Sequence, residues 1–235
     1  MIKTEIAERK TPMYELKAHR LPEDPAIVLC YGDSNTFGYD PRGTGDRYPY
    51  AQRWTTLLEK RLGEGYRVIP EGLSGRTTAY DREDVWKNGL TALRGCLASH
   101  TPLDTVIFLL GANDCNVDLN LSPRQIADGM EQLICVTEEM MAVCQYEMPT
   151  VILAAPAAIR PEFAGTPFAD MLDDDAVAKS HAIAPLYADI ARRHGCLFLD
   201  GTDLEVSSVD CEHLTIAGHA QLADRLYELM KTGKK

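Results

Sequence analysis

Three stretches of this chain carry an apolar run without a break: AIVLCY at 26–31, DTVIFLLG at 104–111, apolar from Val106, and TVILAAP at 150–156, apolar from Val151. A strand with one face in water alternates apolar and polar residues. A strand that does not alternate needs cover on both faces, as in a parallel sheet between two layers of helices. YRVIP at 66–70 and CLFLD at 196–200 read as two shorter strands of the same kind. Between these runs the apolar spacing changes to that of helices, over 52–63, 88–100, 122–146, 174–195 and 214–231. Trp54, Leu57, Leu58 and Leu62 fall on one helical face ahead of Gly63. Ser122 and Pro123 suit an N-cap and a first helical position. Pro185 is expected to kink the helix over 174–195 or to start a new turn in it. Five strands alternating with helices predict a three-layer α/β/α sandwich around a five-stranded parallel sheet.

With 235 residues, 45% of them apolar, the chain suits a single α/β domain with decorated loops. That domain is expected over 26–235. Residues 1–25 are polar and contain Pro12, Pro22 and Pro25, which reads as an N-terminal arm. A net charge of −11 sets the chain against nucleic acid, whose phosphates it would repel. No run approaches the ~18 apolar residues of a membrane helix, and the opening residues lack the apolar core of a secretory signal. The seven cysteines are odd in number and form no CxxC pair. A reducing cytoplasm is the expected location.

In a parallel sheet, ligands bind outside the carboxyl ends of the strands. The first strand runs straight into GDSNTFG, which places Ser34 at that end between turn glycines. A phosphate-binding turn is the rival reading, but the segment is not GxGxxG and no GK[ST] follows. The GxSxG elbow of α/β-hydrolases is also absent. A serine nucleophile needs a base, and the base needs an orienting acid. Of six histidines, His19 lies in the arm, His100 and His194 close helices, and His181 and His219 sit on helices. His213 sits in SSVDCEHLT, after the fifth strand and three residues beyond Asp210. That spacing lets the carboxylate reach Nδ1 and leaves Nε2 for Ser34. A loop aspartate with a capping histidine is the bland alternative, and Cys211, Glu212 and His213 raise a metal site that no second ligand pair supports. An oxyanion needs donors. Asn113, in GAND after the third strand, and Gly75, in EGLSGRTT after the second, stand on the same face.

The four blocks GDSN (32–35), LSGRT (73–77), GAND (111–114) and DCEH (210–213) resemble those of the SGNH hydrolases, the GDSL-type esterases, in that superfamily's order. The resemblance implies a flavodoxin-like fold and no metal or organic cofactor. It implies Ser34 as nucleophile, His213 as base and Asp210 as orienting acid. It implies an oxyanion hole of the Ser34 and Gly75 N–H groups and the Asn113 side chain. Asn35 stands where many members have leucine and is expected to reshape the pocket floor. RYPYAQRWTTLLEKRL, EGLSGRTT and TPLD look similar to bacterial arylesterases and the mycobacterial-type acyltransferase, which are oligomeric and favour short acyl groups.

These features predict a serine esterase of small carboxylic esters, with acyl transfer to alcohols as a variant of the same chemistry. A non-catalytic binding module on the same fold and a thiol enzyme using Cys115 or Cys211 are the alternatives. Segment 156–175 is long for a strand-to-helix loop and is expected to cover Ser34, with Phe163, Phe168, Met171 and Leu172 as apolar walls. Asp33, Phe163 and Phe168 are the candidate substrate contacts. A homo-oligomer is expected, with the arm or loop 39–50 touching a neighbour.

Overall fold

The computed structural model describes residues 21, 23–43 and 46–233. Nearly all of the N-terminal arm, His19 included, lies outside the described residues. Five strands are present: β1 (Ala26–Gly32), β2 (Tyr66–Gly72), β3 (Thr105–Leu109), β4 (Thr150–Ala154) and β5 (Leu197–Leu199). All neighbours are parallel, in the order β2-β1-β3-β4-β5. Strand order therefore reverses between β1 and β3, and a crevice opens outside their carboxyl ends.

The unbroken apolar runs are explained by two cores. Val28 and Cys30 of β1 and Ile107 and Leu109 of β3 face one side. There they pack on Trp54 and Leu58 of α2 (Trp54–Leu62) and Leu222 and Leu226 of α6 (Ile216–Thr232). Leu29 and Tyr31 of β1 and Val106 and Phe108 of β3 face the other side. Their partners come from α3 (Gly89–His100), α4 (Pro123–Cys144) and α5 (Asp174–His194). Every residue of β3 is buried, as the central strand of a doubly covered sheet must be.

Helix ends follow their local chemistry. Ser122 caps α4 in a reciprocal capping box with Gln125, and Pro123 takes the first helical position. Pro185 neither divides α5 into two pieces nor restarts it. The helix runs unbroken from Asp174 to His194, anchored by buried Ile183, Tyr187 and Ile190, so the proline gives up only its own N–H bond. His194 closes this helix against Glu131 and Glu138 of α4, and His100 closes α3 against Glu71.

Candidate active site

A short helix, α1 (Ser34–Phe37), follows β1 directly. Two glycines allow its placement. A Cβ on Gly72, at the end of β2, would stand 2.1 Å from the Phe37 backbone nitrogen, and one on Gly32 would stand 2.1 Å from Thr36 Oγ1. The serine turn thus packs on bare backbone at the ends of both strands. Gly38 ends α1 at φ +87°, and its N–H donates to the Ser34 carbonyl over 2.8 Å.

Ser34 Oγ lies 2.8 Å from His213 Nε2, and His213 Nδ1 lies 2.7 Å from Asp210 Oδ2. Asp210 Oδ1 also accepts from the backbone N–H groups of Glu212 and His213, so one carboxylate fixes both the loop and the ring. Asn35 does not floor the cavity. Its Oδ1 accepts from the Leu214 N–H over 2.9 Å, which ties the residue after Ser34 to the residue after His213.

Across the crevice, Gly75 sits at φ +81° on the cavity wall. The Asn113 amide donates to the Arg76 carbonyl over 3.1 Å, which leaves it a second N–H. Among the described residues, the backbone N–H groups of Ser34 and Gly75 make no hydrogen bond. Asp114 accepts from the Thr78 N–H and hydroxyl, locking loop 73–78 to the turn that carries Asn113. Arg76 reinforces this wall: its guanidinium stacks on Tyr31 and donates to the carbonyls of Gly32 and Glu71.

These groups border a cavity of about 480 Å³ that holds Ser34, Gly75, Asn113 and His213 in its lining. Segment 156–175 does reach it, through Phe168 and Met171. The Phe168 ring centre is 5.6 Å from that of His213 and the Tyr39 ring centre 4.5 Å, with the two aromatic rings 6.4 Å from each other. The Val117 N–H donates to the Met171 carbonyl, pinning the segment to the turn after β3. Two expected walls are placed elsewhere. Phe163 packs against the larger core before the segment reaches the cavity, and Leu172, just after Met171 of the cavity lining, is buried within that core. Asp33 is also absent from the cavity. It is buried beneath α1 and caps that helix by accepting from the Asn35 N–H.

Burial dominates the electrostatics. It raises the Asp33 carboxyl to about 7 and the Asp114 carboxyl to about 6. For His213 burial pushes the other way, toward the neutral ring. The Asp210 hydrogen bond and the charges of Glu212, Asp210 and Asp33 outweigh it and hold the imidazole above its ordinary value. His219 accepts from the Trp54 N–H, packs on Tyr48, and is held neutral by burial at about 4.

Sequence reasoning missed Tyr39, Asn116 and Glu212 on the cavity wall and the tethers made by Asn35 and Asp114. Asn35, Asp114 and Glu212 lie inside the motif blocks. Tyr39 and Asn116 carry no local signal, because only the folded loops bring them to the cavity. Among the described residues no helix is long and apolar enough to cross a membrane.

Solved structures of similar chains share this architecture. Est24, a carbohydrate acetylesterase from Sinorhizobium meliloti, is 35% identical over 88% of this chain and 99% of its own, with a TM-score of 0.81. The aryl esterase of M. smegmatis is 32% identical over 88% of this chain and 99% of its own, with a TM-score of 0.82. The lipase/acylhydrolase from Enterococcus faecalis, 20% identical, shares the fold at a TM-score of 0.65 over 89% of this chain and 97% of its own. No protein of curated function matches the sequence. Residues 30–221 match the GDSL-like lipase/acylhydrolase family from the β1 strand into α6. The chain belongs to that family and is a serine esterase, a hydrolase of ester bonds.

Proposed function

We propose that Ser34, His213 and Asp210 form the catalytic triad of this esterase. The oxyanion hole consists of the Ser34 and Gly75 N–H groups and the Asn113 amide. The substrate is a small carboxylic ester with a short acyl group. The observation that carries this assignment is the buried hydrogen-bond chain from Asp210 through His213 to Ser34, facing unpaired donors across one cavity.

The Ser34 hydroxyl gives its proton to His213 Nε2 as Oγ bonds to the ester carbon. The carbonyl oxygen becomes an alkoxide and takes the three donors, which need no reorientation to receive it. His213 then protonates the leaving alcohol as its bond to carbon breaks. Water attacks the acyl-enzyme with His213 again as base, releasing acid and free Ser34. An alcohol in place of water yields a new ester, which is the acyl-transfer variant of the same step. A fluorophosphonate probe is expected to label Ser34 and no other residue. A labelled Cys115 or Cys211 peptide, or no label at all, would count against this assignment.

Asn113→Ala is expected to lower kcat by roughly 10²–10³ with little change in KM, because its second N–H strengthens its bond only as charge develops. A change confined to KM would assign the amide to ground-state binding instead. The base must be neutral to act, and His213 is held above the ordinary imidazole value, so activity is lost as pH falls through that raised value. The acid limb of kcat/KM is therefore expected with its midpoint above ~6.5. A midpoint at or below that value would mean that the surrounding carboxylates do not act on the ring.

The short-acyl preference is supported by the cavity's size and by Phe168 and Met171 in its lining, and an acyl-chain series tests it. A homo-oligomer in the cytoplasm completes the proposal. The motif resemblance to arylesterases, which implies an oligomer, supports the assembly, and light scattering that gives a mass near 26.0 kDa at every concentration would refute it.

A further inference from the structure

The cavity wall contains a carboxyl that the triad does not use. Glu212 lies next to His213 in the chain, is only 6% exposed, and lines the cavity. Its backbone N–H donates to Asp210, but among the described residues its carboxyl accepts no hydrogen bond and forms no ion pair. Asn116, 2% exposed and in the lining of the same cavity, has an enclosed side-chain oxygen without a hydrogen-bond partner. The other charges on the wall are largely paired, Arg82 with Asp118 and Lys87 with Asp84.

A buried acceptor without a donor is costly, and a buried carboxyl more so. An apolar side chain of similar volume would serve packing better. A nearly buried carboxyl that opens to the catalytic cavity and has no donor, beside an enclosed amide oxygen that also has none, therefore marks a place where a donor arrives with the substrate. The wall carries two cationic side chains, Arg82 and Lys87, against four acidic ones, Glu83, Asp84, Asp118 and Glu212. This balance disfavours an anionic ligand and suits a neutral one. Burial raises the Glu212 carboxyl, so its charged form is held at a cost that a hydroxyl donor would relieve.

Resting on the esterase site above, we propose that Glu212, with Asn116, is a hydroxyl-binding subsite that selects esters bearing a hydroxyl group close to the scissile carbonyl. The hydroxyl donates to the Glu212 carboxylate and so fixes the ester against Ser34. It can come from the acyl side, as in a hydroxy acid, or from the alcohol side, as in a polyol.

Three esters separate these sources: ethyl acetate as reference, ethyl glycolate with its hydroxyl on the acyl side, and 2-hydroxyethyl acetate with it on the alcohol side. The quantity read is kcat/KM for each hydroxylated ester divided by that for ethyl acetate, in wild type and variant. A change in His213 basicity acts on both esters alike and cancels in this ratio. Glu212→Leu is expected to lower the ratio roughly 10- to 100-fold for one of the two hydroxylated esters, the span of a hydrogen bond to a charged group. The ester affected identifies the source. Glu212→Met, whose unbranched side chain adapts where a branched one clashes, repeats the measurement. Both variants are expected to melt no lower than wild type, since an uncompensated buried carboxyl has been removed. Ratios within about two-fold of wild type for both esters would overturn the subsite. So would failure of both variants to fold, which would make the carboxyl structural. The triad assignment fails separately, if Ser34→Ala retains turnover of ethyl acetate.

Discussion

Ser34→Ala is expected to fold as the parent does and to lose about 10⁶ in kcat, the scale measured when a triad serine is removed from a serine protease. The side chain lost is one hydroxyl, whose hydrogen bond in the structure is to His213 Nε2. The turn beneath it is held by other groups: the Asp33 cap, the Gly38 N–H, and the contact of α1 with the glycine ends of β1 and β2. Stability should therefore change little while chemistry stops. His213→Ala is expected to be equally severe, and the double variant no worse than either, because the two act as one unit. Initial rates on an activated acetate ester, with far-ultraviolet circular dichroism as the check on folding, decide the matter. Turnover within about ten-fold of wild type would remove Ser34 from the mechanism.

Asp210→Asn is expected to lose about 10⁴ in kcat, by analogy with the same change in serine proteases. Asp210 accepts from His213 Nδ1, so Nε2 is left as the acceptor that Ser34 needs. An asparagine amide can donate to Nδ1 and so invert the tautomer, which turns Nε2 into a donor toward the hydroxyl. The same substitution weakens the bonds from the Glu212 and His213 N–H groups that shape the loop. A modest fall in melting temperature is thus expected beside the kinetic loss. A loss of only a few-fold would mean that the Asn35 to Leu214 tether and the Tyr39 and Phe168 rings hold the imidazole without help.

Much of this arrangement is legible in the chain because its causes are local. The unbroken apolar runs within 26–31, 104–111 and 150–156 can be buried on both faces only in a parallel sheet, and they are β1, β3 and β4. Glycine marks the ends of β1 and β2 because α1 lies against their backbone. The three-residue spacing from Asp210 to His213 places carboxylate and ring on one turn. Ser34, Gly75, Asn113 and His213 follow four different strands, and a parallel sheet puts all such ends on one face.

What the chain alone could not determine depends on contacts between distant segments. Phe163 and Phe168 stand five residues apart with the same character and both pack against the larger core, yet only Phe168 also lines the cavity. Asp33 sits beside Ser34 but points under α1, since the same turn that exposes the hydroxyl buries its neighbour. Asn35 reaches Leu214 across 179 positions, and Tyr39 meets His213 only once their loops have folded together. Pro185 stays within a continuous helix because packing of α5 on the sheet outweighs one missing hydrogen bond. The sequence by itself determined the layers, the strand ends and which motif residues meet at the cavity, since backbone geometry and periodicity act over a few residues. The tertiary structure alone decided which neighbouring side chains face the substrate, since that choice belongs to packing between elements far apart in the chain.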